Sequence, residues 1–180
     1  MSFVFEEIDY QQTPRGAISL RKRSEPRLDN IVLYEVKMND EFLMSSLFTE
    51  AEIQLSNYGL ANFKDQELDV VVGGLGLGYT AQAALAFDNV KSLCVVDVMA
   101  PVIEWHEKGL VPLGKELTED PRCRYALGDF FEFATADNTN FDGSTGNDKV
   151  HAVLLDIDHT PSYWLNPENS RFYSTESLTA

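Results

Sequence analysis

LDVVVGGLGLGYTAQAALAF, Leu68 to Phe87, is the stretch on which the fold turns. Its first part, LDVVVG, is a short continuous apolar run of the kind found in strands buried on both faces, and the alanine-rich YTAQAALAF has the composition of a helix. Between them lies GGLGLG, Gly73 to Gly78. Glycine lets the backbone adopt positive φ and lets a ligand approach with no Cβ in the way, while the helix that follows presents free amides to an electron-rich group. A glycine run alone would serve equally as a tight strand-to-helix connection. Its placement directly after a strand and before a helix makes Gly73, Gly74, Gly76 and Gly78 candidates for a ligand loop.

Working outward, three more apolar runs have the same character: SLCVVDV (Ser92 to Val98), CRYALG (Cys123 to Gly128) and HAVLLDID (His151 to Asp158). Helical sequence separates them, including PVIEWHEKGLVPLGKEL, whose Pro101 suits a first helical turn. Strand and helix in alternation predict an α/β fold with one parallel sheet. With right-handed crossovers the four strands take the order 3-2-1-4, the glycine loop standing at the carboxyl edge. Trp105 is expected in the core and His106 in solvent.

The carboxyl edge of such a sheet binds ligands, and each of the later strands ends there in an acid. Asp97 follows the glycines by about 20 positions, the spacing at which a carboxylate accepts the ribose hydroxyls of a nucleotide; the alternative is a cap on the following helix. Val98 would then pack on an adenine face. Asp129, in ALGDFFEF, is placed to recognise an adenine amino group, to cap a helix, or both, and Phe130 can supply apolar surface. The fourth strand runs into DIDHTP, where Asp156, Asp158 and His159 could orient or deprotonate an attacking amine. Period-two spacing puts the two aspartates on one side if the strand persists that far. His159 reads equally well as an ordinary loop histidine; as a metal site the trio is suggestive but incomplete, with no second histidine or acidic cluster adjacent in sequence, and no metal is expected. Tyr163, Trp164, Phe172 and Tyr173 could wall a cavity or simply pack a loop onto the sheet.

Before Leu68 the pattern is different. GAISLRKR, IVLYEVK and EFLMS, with Asn39-Asp40 as a turn, predict a small antiparallel meander. Thr49 and Glu52 fit a capping box opening a helix from Glu50 to Tyr58, closed by Gly59. These elements suggest a β unit over 1–48 and a cofactor-binding domain over 49–180. The polar stretch Asp137 to Lys149 is expected as a surface loop. Ser174 to Ala180 looks like a helix cap and first turn, so further strands are expected beyond it, absent here through truncation or disorder.

The chain carries 29 acidic and 14 basic side chains, a formal net charge of −15. That argues against a nucleic-acid partner, which needs a basic surface, and is compatible either with attraction of a cationic substrate such as a polyamine or with a merely solvated acidic face. No stretch approaches the roughly 20 apolar residues of a membrane span, and Met1 to Asp9 has no leader character, so no membrane partner and a cytoplasmic location are expected. Cys94 and Cys123 have no CxxC or histidine context for a metal or disulfide.

The blocks VVVGGLGLG, VVDVMAPVIEWHEKGLVPLG, DPRCRYALGDFFEF and VLLDIDHTP, roughly Leu68 to Pro161, taken in order, resemble the nucleoside-binding blocks of the spermidine synthase family, the polyamine aminopropyltransferases. The N-terminal meander is similar to that family's small leading domain. The resemblance implies a Rossmann-like S-adenosylmethionine-dependent methyltransferase fold and a transferase using S-adenosylmethionine or its decarboxylated form on a small-molecule amine; it admits a homodimer. It implies that the four glycines shape the cofactor loop, Asp97 holds ribose, Asp129 adenine, and Asp156 is the base. Two positions depart from the family pattern: Gly76 stands where GGGDGG has its aspartate, and His159 replaces the second aspartate of the DSSDP-like element, with one residue inserted. Methyltransferases usually carry an acid two residues before the first glycine of GxGxG, where this chain has Val72. Methyl transfer, a non-catalytic nucleoside-binding relative and an NAD-type oxidoreductase are the competing readings.

Overall fold

The computed structural model describes residues 4–63, 65–146, 148–158, 160 and 162–175. It begins with an antiparallel meander of β1 (Phe5–Thr13), β2 (Gly16–Glu25), β3 (Ile31–Met38) and β4 (Glu41–Ser45), hydrogen-bonded in sequence order. The first strand has no counterpart among the sequence expectations: FEEIDYQQT is polar and mostly solvent-facing, so it carries little apolar alternation. Asn39 and Asp40 join β3 to β4 with φ of 51° and 65°, the pair of positive angles that a two-residue hairpin turn demands.

Helix α1 (Glu50–Leu60) follows. Thr49 stands at its N-cap, but its side chain makes no capping hydrogen bond, so the capping-box expectation fails. Nor does Gly59 end the helix. It sits inside because a Cβ there would come within 2.6 Å of Leu154 Cδ2; the missing side chain lets the helix lie close on the sheet.

Four parallel strands then form the second sheet, β5 (Leu68–Gly73), β6 (Val90–Asp97), β7 (Cys123–Leu127) and β8 (Ala152–Leu155), in the order β7-β6-β5-β8. This is the expected 3-2-1-4. Crossovers run through α2 (Tyr79–Leu85), then α3 (Ala100–Glu107) and α4 (Gly114–Glu119), then α5 (Phe130–Thr135). The segment expected as a single second crossover helix is two, broken where Gly109 takes φ of 65° and Gly114 packs its α-carbon face against the His106 carbonyl. Between Asp137 and Lys149 the described residues form no named helix or strand, as expected, apart from a bridge between Thr139 and Thr145. No described helix is long and apolar enough to cross a membrane.

One face of the parallel sheet shares a core with the meander: Val70, Val72, Leu93 and Val95 cluster with Ile18, Leu20 and Val36, and Trp105 lies among them fully buried. Burial of each such side chain contributes about 1.5–3 kcal/mol. The other face gathers Val71, Cys94, Val96 and Ala126 under Phe130, which stacks on Phe141 and meets Phe131 and Phe172 edge-on. His106 is a correction to the sequence reading, since it is fully buried. Two different elements cover the adjacent faces of α3. Asp9 of β1 accepts the Trp105 indole N–H at 2.6 Å, and the glycine loop lies over His106.

Candidate active site

The glycine loop leaves β5 with Gly74, Gly76 and Gly78 at φ of 96°, 49° and 94°, all in the region that L side chains avoid. Each is also close to a neighbour. A Cβ on Gly74 would strike the backbone carbonyl of Asp156, one on Gly76 would come within 2.8 Å of Met44 Sδ, and one on Gly78 within 2.9 Å of His106 Cε1. Gly73 lies against Leu155 and Phe130.

Asp97 ends β6 beside this loop. Its Oδ2 accepts the Leu75 amide at 2.8 Å and its Oδ1 the Met99 amide at 2.7 Å, so one carboxylate ties the loop to the entry of α3. Burial pushes the Asp97 carboxyl up, while the Leu75, Met99 and Gly76 amides pull it back. Val98, next to it, is partly exposed and faces a cavity.

Asp129 caps α5 by accepting the Phe131 amide at 2.9 Å through Oδ1, and its Oδ2 accepts from the Arg15 guanidinium at 2.8 Å. Arg15 comes from the β1–β2 turn, far away in sequence, and nothing local marks it.

Asp156 directly follows β8. Its amide donates to Gly73 O at 2.7 Å, and Thr80 Oγ1, at the start of α2, donates to its Oδ2 at 2.7 Å. Burial pushes this carboxyl up against that hydrogen bond. Glu52 of α1 is also raised, first by burial and then by the charge of Asp156. Glu52, like Arg15, has no place among the site residues expected from sequence, where its spacing from Thr49 points only to a capping box.

Asp158 is placed differently from Asp156, because β8 stops at Leu155 and period two no longer applies. Its carboxylate accepts from the Leu165 amide at 2.7 Å, Asn169 Nδ2 at 3.0 Å and Tyr173 Oη at 3.0 Å, fastening the 3₁₀ turn Pro167–Arg171 and its flanks. His159 lies outside the described residues, as do Pro161 and the end of the Ser174 to Ala180 segment.

Two cavities meet at this edge. The larger, about 530 Å³, lies between the meander and the parallel sheet and is lined by Gly74, Gly76, Asp97, Val98, Asp129 and Phe130, with Asp156 at its border. The smaller, about 260 Å³, is bounded by Glu52, Tyr79, Gly78, Asp158 and again Gly76 and Asp156. Gly76 and Asp156 therefore belong to the wall common to both. The larger has the size of a nucleoside-scale ligand site, and among the described residues the charged side chains lining the smaller are all acidic. Among the described residues no cluster suited to a metal ion forms.

No family model matches the sequence. Over 89 residues the chain is 30% identical to a polyamine aminopropyltransferase of Pyrobaculum islandicum, a match covering 49% of this chain and 28% of that protein. In fold it is similar to the spermidine synthase of Thermotoga maritima, with a TM-score of 0.62 and 18% identity over 83% of this chain and 46% of that one. It is similar also to a spermidine synthase solved with the transition-state analogue AdoDATO, with a TM-score of 0.65 and 17% identity over 91% and 50% of the two chains. These matches take in half or less of each relative's length. In sequence over part of its length, and in its Rossmann-like methyltransferase fold over most of it, the chain is spermidine synthase-like.

Proposed function

We propose that the chain provides the donor and acceptor sites of an aminopropyltransferase-like enzyme. The larger cavity takes the nucleoside of decarboxylated S-adenosylmethionine, and the smaller takes an amine, a polyamine among the candidates. The observation that carries this reading is the position of Asp156 on the wall between the two cavities, with Glu52 beside the smaller one. The relatives support it at the level of the family, one of them a spermidine synthase holding AdoDATO.

The residues fit such a cofactor. Gly74 and Gly76 line the larger cavity with backbone alone, Asp97 offers carboxylate oxygens to ribose hydroxyls, and Asp129 with Val98 and Phe130 makes a polar and apolar border for adenine. Among the described lining residues of both cavities Arg15 is the one cation, and Asp129 already engages it. A donor tail without a carboxylate therefore suits the site better than S-adenosylmethionine itself.

When bound, the sulfonium supplies an activated carbon, whose bond to sulfur breaks as the bond to the amine nitrogen forms. Asp156 orients the amine and takes the proton that its nitrogen sheds. Glu52 holds positive charge in the smaller cavity, and Asp158 keeps the segment after β8 in place. Methyl transfer from S-adenosylmethionine is the second reading. It is favoured by Gly76, since Met44 occupies the space into which the family's aspartate at that position would project.

Parallel calorimetric titrations with decarboxylated S-adenosylmethionine, S-adenosylmethionine and NAD test the proposal. The decarboxylated donor should bind most tightly. Preference for S-adenosylmethionine would shift the reading to methyl transfer, and binding of NAD alone would overturn it.

A further inference from the structure

His106 is a fully buried titratable side chain to which the proposed chemistry gives no part. Its Nε2 is 3.0 Å from the carbonyl oxygen of Gly76, and among the described residues its Nδ1 has no hydrogen-bond partner. A carbonyl only accepts, so the close contact fixes the tautomer: Nε2 carries the proton and donates it, and Nδ1 keeps a bare lone pair. Leu117 and Leu113 pack around the glycine turn next to it, and the Tyr125 ring lies 5.9 Å away. In that setting burial holds the imidazole below its ordinary pKa, in keeping with a neutral ring.

The loop is thus gripped from two sides at Leu75 and Gly76. Asp97 draws the Leu75 amide toward β6, and His106 draws the Gly76 carbonyl toward α3. The same imidazole abuts Gly78, so it supports two of the three positive-φ glycines at once. We propose that His106 is a positioning residue for the cofactor loop: its Nε2–H holds the Gly76 peptide in the orientation that shapes the wall between the two cavities. A buried polar side chain with one ring nitrogen unsatisfied is costly compared with a leucine of similar bulk, and the hydrogen bond to the loop is what offsets that cost. The inference rests on the proposed function for its consequence in binding, but not for its consequence in the loop.

Two variants separate the possibilities. His106→Gln can place an amide N–H near the Nε2 position, whereas His106→Leu keeps bulk and removes the donor. In the ligand-free protein, hydrogen exchange of the amides from Leu75 to Gly78 should quicken about tenfold in the leucine variant and remain near wild type in the glutamine variant, with β5 and β6 unchanged. The dissociation constant for 5′-methylthioadenosine should rise about fivefold to tenfold in the leucine variant and be largely restored by glutamine, as expected for loss of one hydrogen bond. Equal loop exchange in wild type and both variants overturns the proposal. So does equal impairment by both, which would mark a packing role alone. If wild type fails to bind the nucleoside, the proposed function falls and the exchange data still decide on His106. Should the leucine variant not fold, nitrogen-15 spectra of the wild-type imidazole decide: an Nε2–H tautomer is expected, and an Nδ1–H tautomer refutes the assignment.

Discussion

Both oxygens of Asp97 are occupied by backbone amides before any ligand arrives, so its removal would act on the loop as well as on the ribose it is proposed to hold. Asp97→Ala should weaken nucleoside binding by about 1.5–3 kcal/mol, the range for a hydrogen bond to a charged group, and should also lower the melting temperature. Calorimetry with 5′-methylthioadenosine alongside thermal unfolding checks both, and unchanged affinity removes the ribose role. Asp156 calls for a different expectation. Asparagine there still accepts from Thr80 Oγ1 through its carbonyl and no longer carries a charge that partial desolvation disfavours. Asp156→Asn should therefore keep its stability and its nucleoside affinity while single-turnover amine alkylation falls by roughly two to four powers of ten. Full activity at normal stability would take Asp156 out of the mechanism. The pH dependence follows from the direction of the shift. A carboxyl raised in the folded state favours its protonated form, so if Asp156 is the base, as proposed, it is lost as pH falls through the raised value, and the acid limb of turnover should lie above the ordinary 3.8 of an aspartate. Over the same window the fold is not weakened by this group, because the desolvation penalty on its charge is being relieved.

The glycine loop offers the sharpest contrast between elements. Gly74 and Gly76 both have positive φ, but a side chain on Gly74 meets the rigid backbone of Asp156, whereas one on Gly76 meets the flexible end of Met44. Gly76→Ala should cost about 1–2 kcal/mol, the left-handed penalty alone, and Gly74→Ala should cost more and displace the base. Urea unfolding of the two variants measures the difference; equal losses would mean that the contact with Asp156 yields freely. The same elements show what a single sequence reveals. Continuous apolar runs and the glycines between them were sufficient for the parallel sheet and its order, because buried strands and tight turns leave local signatures. Thr49 carried a local signature that the structure does not use. The β1 strand was illegible because its residues face water, whereas the break between α3 and α4 has a local mark, Gly109 at a positive φ with Pro112 close behind, and only the approach of Gly114 to the His106 carbonyl is non-local. Of the candidate site, the gathering of Asp97, Asp129 and Asp156 around one cavity was legible from their places at strand ends. Glu52 and Arg15 were not, since each reaches the site from an element whose packing no local pattern records.

At the scale of the whole molecule, the net charge of −15 surrounds a small cavity whose charged lining residues, Glu52, Asp156 and Asp158, are themselves acidic. Two physical roles for that charge lead to different outcomes. If the acidic surface is only a solvated face, salt relieves self-repulsion and raises stability, but leaves the encounter with substrate untouched. If it also steers a cation inward, salt must weaken that encounter. Raising ionic strength from about 0.01 M to about 1 M shortens the screening length from roughly 30 Å to roughly 3 Å, which abolishes attraction across the surface while sparing contacts inside a half-closed cavity. We therefore expect the melting temperature to rise with salt, KM for a diamine to rise as well, and kcat to change little. The neutral nucleoside 5′-methylthioadenosine serves as the internal control, because its affinity has no long-range charge term to lose. A KM that stays flat while the melting temperature climbs would assign the acidity to the solvated surface alone, whereas a parallel loss for the neutral nucleoside would point to distortion of the site by salt. Only a rise confined to the cationic substrate supports steering, and Glu52→Gln should then reduce affinity for the amine at every salt concentration without flattening the dependence, since one carboxylate inside the cavity contributes little to the field outside it.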